Sequence, residues 1–148
     1  KTIRIWEPHK SVCISVLDGH TSIIFCLQCW QGVKADKTYD IIFSGDGNGT
    51  IMLWDRVSGM FLSKVEDVHT DAIKGMSMSL DPDQSLLTAS MDGTVRLWKP
   101  DTMECERILA AEDGSIVDAG FTMASAWANI VVSSSWDSSL RCYVYTEE

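Results

Sequence analysis

No run among the 148 residues approaches the roughly 18–20 consecutive apolar residues of a helical membrane span. No segment of useful length carries apolar residues at helical spacing, so helices do not organise this chain. The opening residues, Lys1-Thr2-Ile3-Arg4-Ile5-Trp6, already alternate like a strand, and no secretory leader is read in them. Residue 1 is not a start methionine, so the chain is expected to be a piece or processed product of something longer. Basic residues are scarce and scattered: 12 Lys and Arg stand against 21 Asp and Glu, a net charge of −9. Nucleic-acid binders carry a basic patch, so the balance directs the reading away from DNA and RNA and toward a basic protein surface or peptide. Only three histidines occur, His9, His20 and His69, too few and too separated for a zinc site. The cysteines Cys13, Cys26, Cys29, Cys105 and Cys142 are odd in number and fall mostly in apolar runs, where a free thiol packs as a small hydrophobe. That usage points to a reducing compartment, cytosol or nucleus.

What is present is a repeated hairpin. Gly93-Thr94-Val95-Arg96-Leu97-Trp98 follows the turn signal Met91-Asp92-Gly93 and alternates apolar and polar residues with a period of two. Gly49-Thr50-Ile51-Met52-Leu53-Trp54 has the same pattern, as do Lys1–Trp6 and Ser138–Tyr143. The closing aromatics stand at 6, 54, 98 and 143, so the spacings are 48, 44 and 45. Short strands recurring at that period mean a stacked or radial β architecture.

The punctuation of the chain divides it into four units. Residues 1–17 give two strands around Glu7-Pro8-His9-Lys10. Residues 18–66 open on the polar turn Asp18-Gly19-His20-Thr21 and give four strands, Ile23–Trp30, Tyr39–Ser44, one ending at Trp54-Asp55, and Met60–Val65. Gln31–Thr38 reads as a longer loop between the first two. Residues 67–110 repeat the plan from Asp67-Val68-His69-Thr70, with strands over Ala72–Ser79, Leu86–Ser90, Thr94–Trp98 and Glu104–Leu109. Residues 111–148 give three strands, Ser115–Phe121, Asn129–Ser134 and Leu140–Tyr145, and end before a fourth.

These residues resemble the WD-repeat β-propeller family. The resemblance rests on Gly19-His20 and Val68-His69, on the Asn-Gly and Asp-Gly turns, and on the Thr-apolar-x-apolar-Trp strands, of which only Trp54-Asp55 closes with the literal dipeptide. It implies an all-β fold, a partial propeller of four-stranded antiparallel blades. Closed members of the family have four to eight blades, most often seven, or roughly 300 residues at about 40–45 per repeat. The present length covers about three and a half repeats, so the remaining blades, or another chain, are expected to complete the ring. The family also implies a hydrogen-bonded set in a blade: a turn Asp, the turn His, a Ser or Thr of the second strand, and the Trp indole. Carried over, the set is Asp92, His69, Thr88 or Ser90, and Trp98. In the blade of Trp54 the Asp is replaced by Asn48, with His20 and Ser44 or Asp46 available. In the final unit only Asp137, Ser133–Ser135 and Tyr143 remain, without a His.

Other readings of the polar residues are weaker. Cys26 and Cys29 sit mid-strand, three apart and so on opposite sides, which does not suit a redox or metal pair. Asn48-Gly49-Thr50 has the form of a glycosylation sequon but reads as a hairpin turn. Gly45–Gly49 lacks the Lys and following helix of a phosphate loop. With no catalytic constellation and no cofactor motif, the expected role is a non-catalytic scaffold binding protein or peptide in a multiprotein assembly. The alternatives are a purely structural propeller segment, or the substrate-recognition part of a multidomain enzyme such as a ubiquitin ligase or a kinase-associated protein. In the family, partners lie across the face built by the His turns and the turns before the third strand. The resemblance points there to Gly47, Met91 and Trp136, and to Ile23, Phe25, Ala72, Lys74, Ile116 and Asp118. Of these Phe25, Lys74, Met91, Asp118 and Trp136 are the candidate contact residues.

Overall fold

The computed structural model describes residues 1–34, 36–79, 84–110, 121–127, 130–135 and 138–144. Thirteen strands form four separate antiparallel sheets among them. The first sheet pairs β1 (Thr2–Glu7) with β2 (Val12–Asp18). The second runs in chain order through β3 (Ile24–Lys34), β4 (Lys37–Asp46), β5 (Ile51–Asp55) and β6 (Phe61–Val65). The third does the same through β7 (Ile73–Met78), β8 (Leu86–Ser90), β9 (Thr94–Trp98) and β10 (Cys105–Ala110). The fourth holds β11 (Phe121–Trp127), β12 (Ile130–Ser135) and β13 (Leu140–Val144). The sheets do not close into a ring.

The repeat is visible in the register as well as in the count. In the outer hairpin of the second sheet, Ile51 faces Val65 and Leu53 faces Ser63, then one residue is skipped so that Trp54 faces Phe61. The third sheet skips at the same point, between Leu97↔Arg107 and Trp98↔Cys105. So does the first, between Ile5↔Ser15 and Trp6↔Cys13. One extra residue on the outer strand re-aims the side chain at the bulge, and it falls at the Trp each time.

Alternation along the inner strands places each sheet between two cores. In β5, Ile51 and Leu53 face the third sheet, joining Trp30, Ile41, Phe43, Val68, Ile73, Leu86 and Trp98. Met52 and Trp54 face the other way and join Ile3, Leu17 and Ile42. In β8, Leu86 belongs to the first of these cores, while its neighbour Leu87, with Ala89, packs with Val95, Leu97 and Val131. Both faces of the inner strands are therefore buried, which is why they lack the polar half of an ordinary surface strand. Burying a side chain such as Phe43, fully enclosed, contributes about 1.5–3 kcal/mol, and the wedges of such side chains hold neighbouring sheets face to face.

Two expectations require correction. Gln31–Thr38 is not a loop: β3 and β4 continue through it, pairing down to Lys34↔Lys37. The arms are polar because they stand clear of the neighbouring sheets, so no buried face imposes alternation. Among the described residues the first strand of the last sheet is Phe121–Trp127, with Trp127 opposite Ile130; the expected strand Ser115–Phe121 lies outside them except for Phe121. The Ala-Ser-Ala run in it has weak β-propensity, and pairing overrides that. The cysteines are less buried than their apolar neighbours suggest: all five are free, and Cys29, Cys105 and Cys142 are exposed.

Candidate functional site: the His-turn face

Two buried hydrogen-bond chains fix the turns at one end of the sheets. In the third sheet the Trp98 indole Nε1–H donates to Thr88 Oγ1 at 2.9 Å. Thr88 Oγ1 lies 2.7 Å from His69 Nε2, and His69 Nδ1 lies 2.8 Å from Asp92 Oδ2. Only one assignment satisfies every group. The Thr88 hydroxyl donates to Nε2, and a neutral imidazole donates its Nδ1–H to the Asp92 carboxylate. Burial pushes the His69 imidazole below its ordinary value, against the pull of Asp92, which fits the neutral ring. Burial alone would raise the Asp92 carboxyl, but the hydrogen bonds from His69 and Thr94 outweigh it and hold it well below the usual range. Asp92 also takes the Thr70 and Thr94 amides, at 3.1 and 2.9 Å, tying the His turn to the turn before β9. Ser90 serves a different bond: its hydroxyl donates to the Asp71 carbonyl at 3.0 Å and accepts the Asp92 amide at 3.1 Å.

The second sheet builds the same chain with a shifted acid. Trp54 Nε1–H donates to Ser44 Oγ at 2.9 Å, Ser44 Oγ is 2.7 Å from His20 Nε2, and His20 Nδ1 is 2.8 Å from Asp46 Oδ2. Asn48, at the position matching Asp92, does not enter the set; its side chain reaches Thr21 Oγ1 at 3.4 Å. Asp46 stands two residues earlier, and its other oxygen accepts the Asn48 and Thr50 amides at 2.9 and 3.2 Å. That capture of downstream amides is the Asx-turn habit that Asp shares with Asn. In the last sheet the matching groups, Ser133 Oγ and Tyr143 Oη, are buried without a hydrogen-bond partner among the described residues.

The turns of neighbouring sheets also touch directly. The His69 amide donates to the Gly49 carbonyl at 3.3 Å, and a Cβ on Gly49 would stand 2.1 Å from the His69 carbonyl oxygen. Gly49 has φ +74°, so glycine is required twice over, by conformation and by space.

Above this framework lie several of the candidate contact residues. Phe25 is 42% exposed, and Lys74 Nζ from the next sheet sits 3.2 Å from its ring centroid. Gly47 adjoins the same ring: a Cβ there would be 3.3 Å from Phe25 Cε2, and its amide donates to the Ile23 carbonyl at 2.9 Å. Ile23 is exposed beside them. Met91 takes the corresponding place in the third sheet, its amide donating to the Ala72 carbonyl at 3.0 Å. Phe25 and Gly47 of the second sheet are thus brought together with Lys74 of the third, the sheet to which Met91 also belongs. Trp136, Asp118 and Ile116 lie outside the described residues. The exposed carboxylates of Asp18, Asp67 and Asp71 belong to the same His turns.

The two imidazoles are enclosed, and their nitrogens are committed to the chains described. Among the described residues no group of three or more His, Cys, Asp or Glu is placed to hold a metal ion, and no helix is long and apolar enough to cross a membrane.

The family described as "WD domain, G-beta repeat" matches residues 11–55 and 62–99, more than half of the chain. The chain belongs to the WD-repeat family. Mitochondrial division protein 1 of Candida glabrata is 26% identical over an alignment covering 97% of this chain and 19% of that protein. Elongator complex protein 2 of Rattus norvegicus is 29% identical over 78% of this chain and 15% of its own length. Among solved structures, the WD40 β-propeller domain of Doa1 superposes with a TM-score of 0.75 at 21% identity, covering 99% of this chain and 45% of that one. The computationally designed Ika4 protein superposes with a TM-score of 0.67 at 25% identity, covering 98% and 80%. This WD-repeat chain spans about a fifth of the length of the curated relatives named here. Its unclosed sheets are those of a partial WD-repeat propeller, and WD-repeat propellers act in general as protein-interaction scaffolds.

Proposed function

We propose that the His-turn face is a rigid docking surface for a protein or peptide within a multiprotein assembly, and that the chain does no chemistry of its own. The observation that carries the reading is the pairing of an exposed Phe25 ring with Lys74, held over a framework whose polar groups are satisfied. An aromatic side chain on a fixed backbone binds with little entropy lost, which is the character of an interface anchor. Met91 adds an adaptable apolar contact, and the resemblance adds Trp136 and Asp118 from the last unit. The exposed carboxylates of Asp18, Asp67 and Asp71, with the net charge of −9, favour a basic partner. A cytoplasmic or nuclear location agrees with this role and with the free thiols.

The test is affinity capture with the chain and with Phe25→Ala and Trp136→Ala variants, followed by titration of the captured protein in purified form. Each variant is expected to weaken binding by more than about 1 kcal/mol while the melting temperature stays put. Unchanged affinity in both variants would move binding to another surface and leave this segment a structural part of the ring.

A further inference from the structure

We infer that the projecting end of the β3–β4 hairpin is a second docking site, where an extended acidic segment of a partner protein adds as a strand to the edge of β4 at Thr38. The site lies at the end of the sheets away from the His turns, and it selects the opposite charge to the partner proposed for that face. The length of the hairpin points to it. Ile42 faces Trp54 as Leu86 faces Trp98, so the two sheets can be compared pair by pair. β7 and β8 stop pairing at Met78↔Leu86, whereas β3 and β4 continue past the matching Cys29↔Ile42 to Lys34↔Lys37. The pairs beyond Trp30↔Ile41, at about 3.3 Å per residue, make an arm of roughly 13 Å. Its base is fixed on both faces. On one, the Trp30 indole lies over Gly32, where a Cβ would stand 2.6 Å from Cζ2, and its ring centroid is 5.3 Å from that of Tyr39. Trp30 Nε1–H also donates to Gln84 Oε1 at 2.8 Å. On the other face, Arg56 Nη2 donates to Asp40 Oδ2 at 2.8 Å. An arm held in this way loses little entropy on binding.

Backbone parity decides which edge is open. The Asp40 carbonyl accepts the Arg56 amide, so Asp40 turns its main-chain groups toward β5. Thr38 has the same parity and turns its N–H and C=O to the same side. The last β4–β5 pair is Ile41↔Asp55, and the Thr38 main chain has no hydrogen-bond partner on that side among the described residues. Such an edge is a template for an added strand, in which main-chain bonds give affinity and side chains give specificity. Charge supplies the selection. Lys10, Arg56, Lys64, Arg96 and Lys99 each pair with a carboxylate. Lys37 has no carboxylate partner among the described residues; its Nζ stands 4.8 Å from the Tyr39 ring centroid, and the register sets Lys34 across from it. Like charges directly opposite one another destabilise a hairpin, and an acidic residue on the incoming strand, opposite Lys37, offsets that. Lys37 and Tyr39 share one face of the arm, and Thr38 shares the other with Val33, which is 68% exposed. The fitting segment therefore alternates acidic residues with apolar ones.

The probe is a synthetic octapeptide with blocked ends that alternates glutamate and valine. It is titrated into the chain while the resonance and hydrogen exchange of the Thr38 amide are followed by NMR. The Thr38 amide should move and gain protection. An octapeptide alternating lysine and valine should bind more weakly, and so should one in which the glutamates precede the valines as two blocks. Lys37→Glu should weaken binding of the alternating glutamate peptide roughly two- to fivefold and shift the preference toward the lysine peptide. Phe25→Ala, at the other end of the sheets, should change none of this. The inference is overturned if the Thr38 resonance stays in place, if the block peptide binds equally well, or if protection appears at Val33 and not at Thr38. It is overturned equally if Lys37→Glu leaves the preference as it was, or if Thr38 is already protected without peptide in a concentration-dependent way, which would mean pairing between copies.

Discussion

Thr88→Val removes one hydroxyl and keeps the shape of the side chain, so it isolates the hydrogen-bond chain from packing. Thr88 is fully buried, and its oxygen serves two buried partners, the Trp98 indole at 2.9 Å and His69 Nε2 at 2.7 Å. Valine leaves both without a partner. Stranding a buried polar group costs about 1–3 kcal/mol, so the two together predict a loss of about 3 kcal/mol, with no cavity term. At about 3 °C per kcal/mol for a chain of this size, the melting temperature should fall by about 10 °C. Urea unfolding followed by circular dichroism would report the loss as a lower midpoint at unchanged slope. Ser90→Ala is the internal control, since the Ser90 hydroxyl bonds main-chain groups, the Asp71 carbonyl and the Asp92 amide, and neither ring of the chain; it should cost about 1 kcal/mol. Trp98→Phe removes the indole N–H, so in a double-mutant cycle with Thr88→Val the two losses should fall short of additive by about 1 kcal/mol or more. A cost for Thr88→Val below that of Ser90→Ala, or full additivity with Trp98→Phe, would refute the idea that this hydroxyl bridges ring and indole.

Other consequences can be measured on the same footing. Gly49→Ala should cost about 3 kcal/mol or more in urea unfolding, because a positive φ and a carbonyl oxygen 2.1 Å from the new Cβ act together. Stability should fall as pH drops below the ordinary histidine value of about 6.5, because the lowered His69 value means that the unfolded chain takes up the proton first. It should fall again below about pH 4, because the depressed Asp92 carboxyl stays ionised in the folded chain while the unfolded chain takes up the proton. His69→Gln, although less stable throughout, should lose the part of the first slope that belongs to His69, as melting temperatures against pH would reveal. Burial pushes the Cys26 thiol up to about 12, so iodoacetamide near pH 8, read by mass spectrometry, should modify exposed Cys29 and Cys142 and spare Cys26 until the chain unfolds.

How much of this was legible depends on how many demands acted on a residue. The Thr-apolar-x-apolar-Trp strands answer to two cores and a turn at once, so their period survived in the residues and gave the hairpins, the Trp positions and the fold class. The arms of β3 and β4 beyond Trp30 and Tyr39 answer to neither core. Their polar residues look like a loop although their backbones pair down to Lys34↔Lys37. The choice of Asp46 over Asn48 was hidden for another reason: alignment by the Gly-Thr turn places Asn48 at the acid position. A carboxylate two residues earlier can still reach His20 because it also caps the turn amides. The exposure of Trp6 follows from the count of strands and not from its own residues, which match those around the buried tryptophans: the first sheet has two strands where the second and third have four.

The central claim is that each inner strand is shared between two interfaces, so that adjacent residues look into different sheets. Methyl NMR on a Leu- and Ile-labelled chain tests it at one dipeptide. The account predicts that Leu86 methyls show Overhauser contacts to the group of Phe43, Trp30 and Ile73, and that Leu87 methyls show them to Val131 and Leu97, with no exchange of partners. Contacts from both leucines to one common set of residues would contradict the face-to-face stacking of blades and the function built on it.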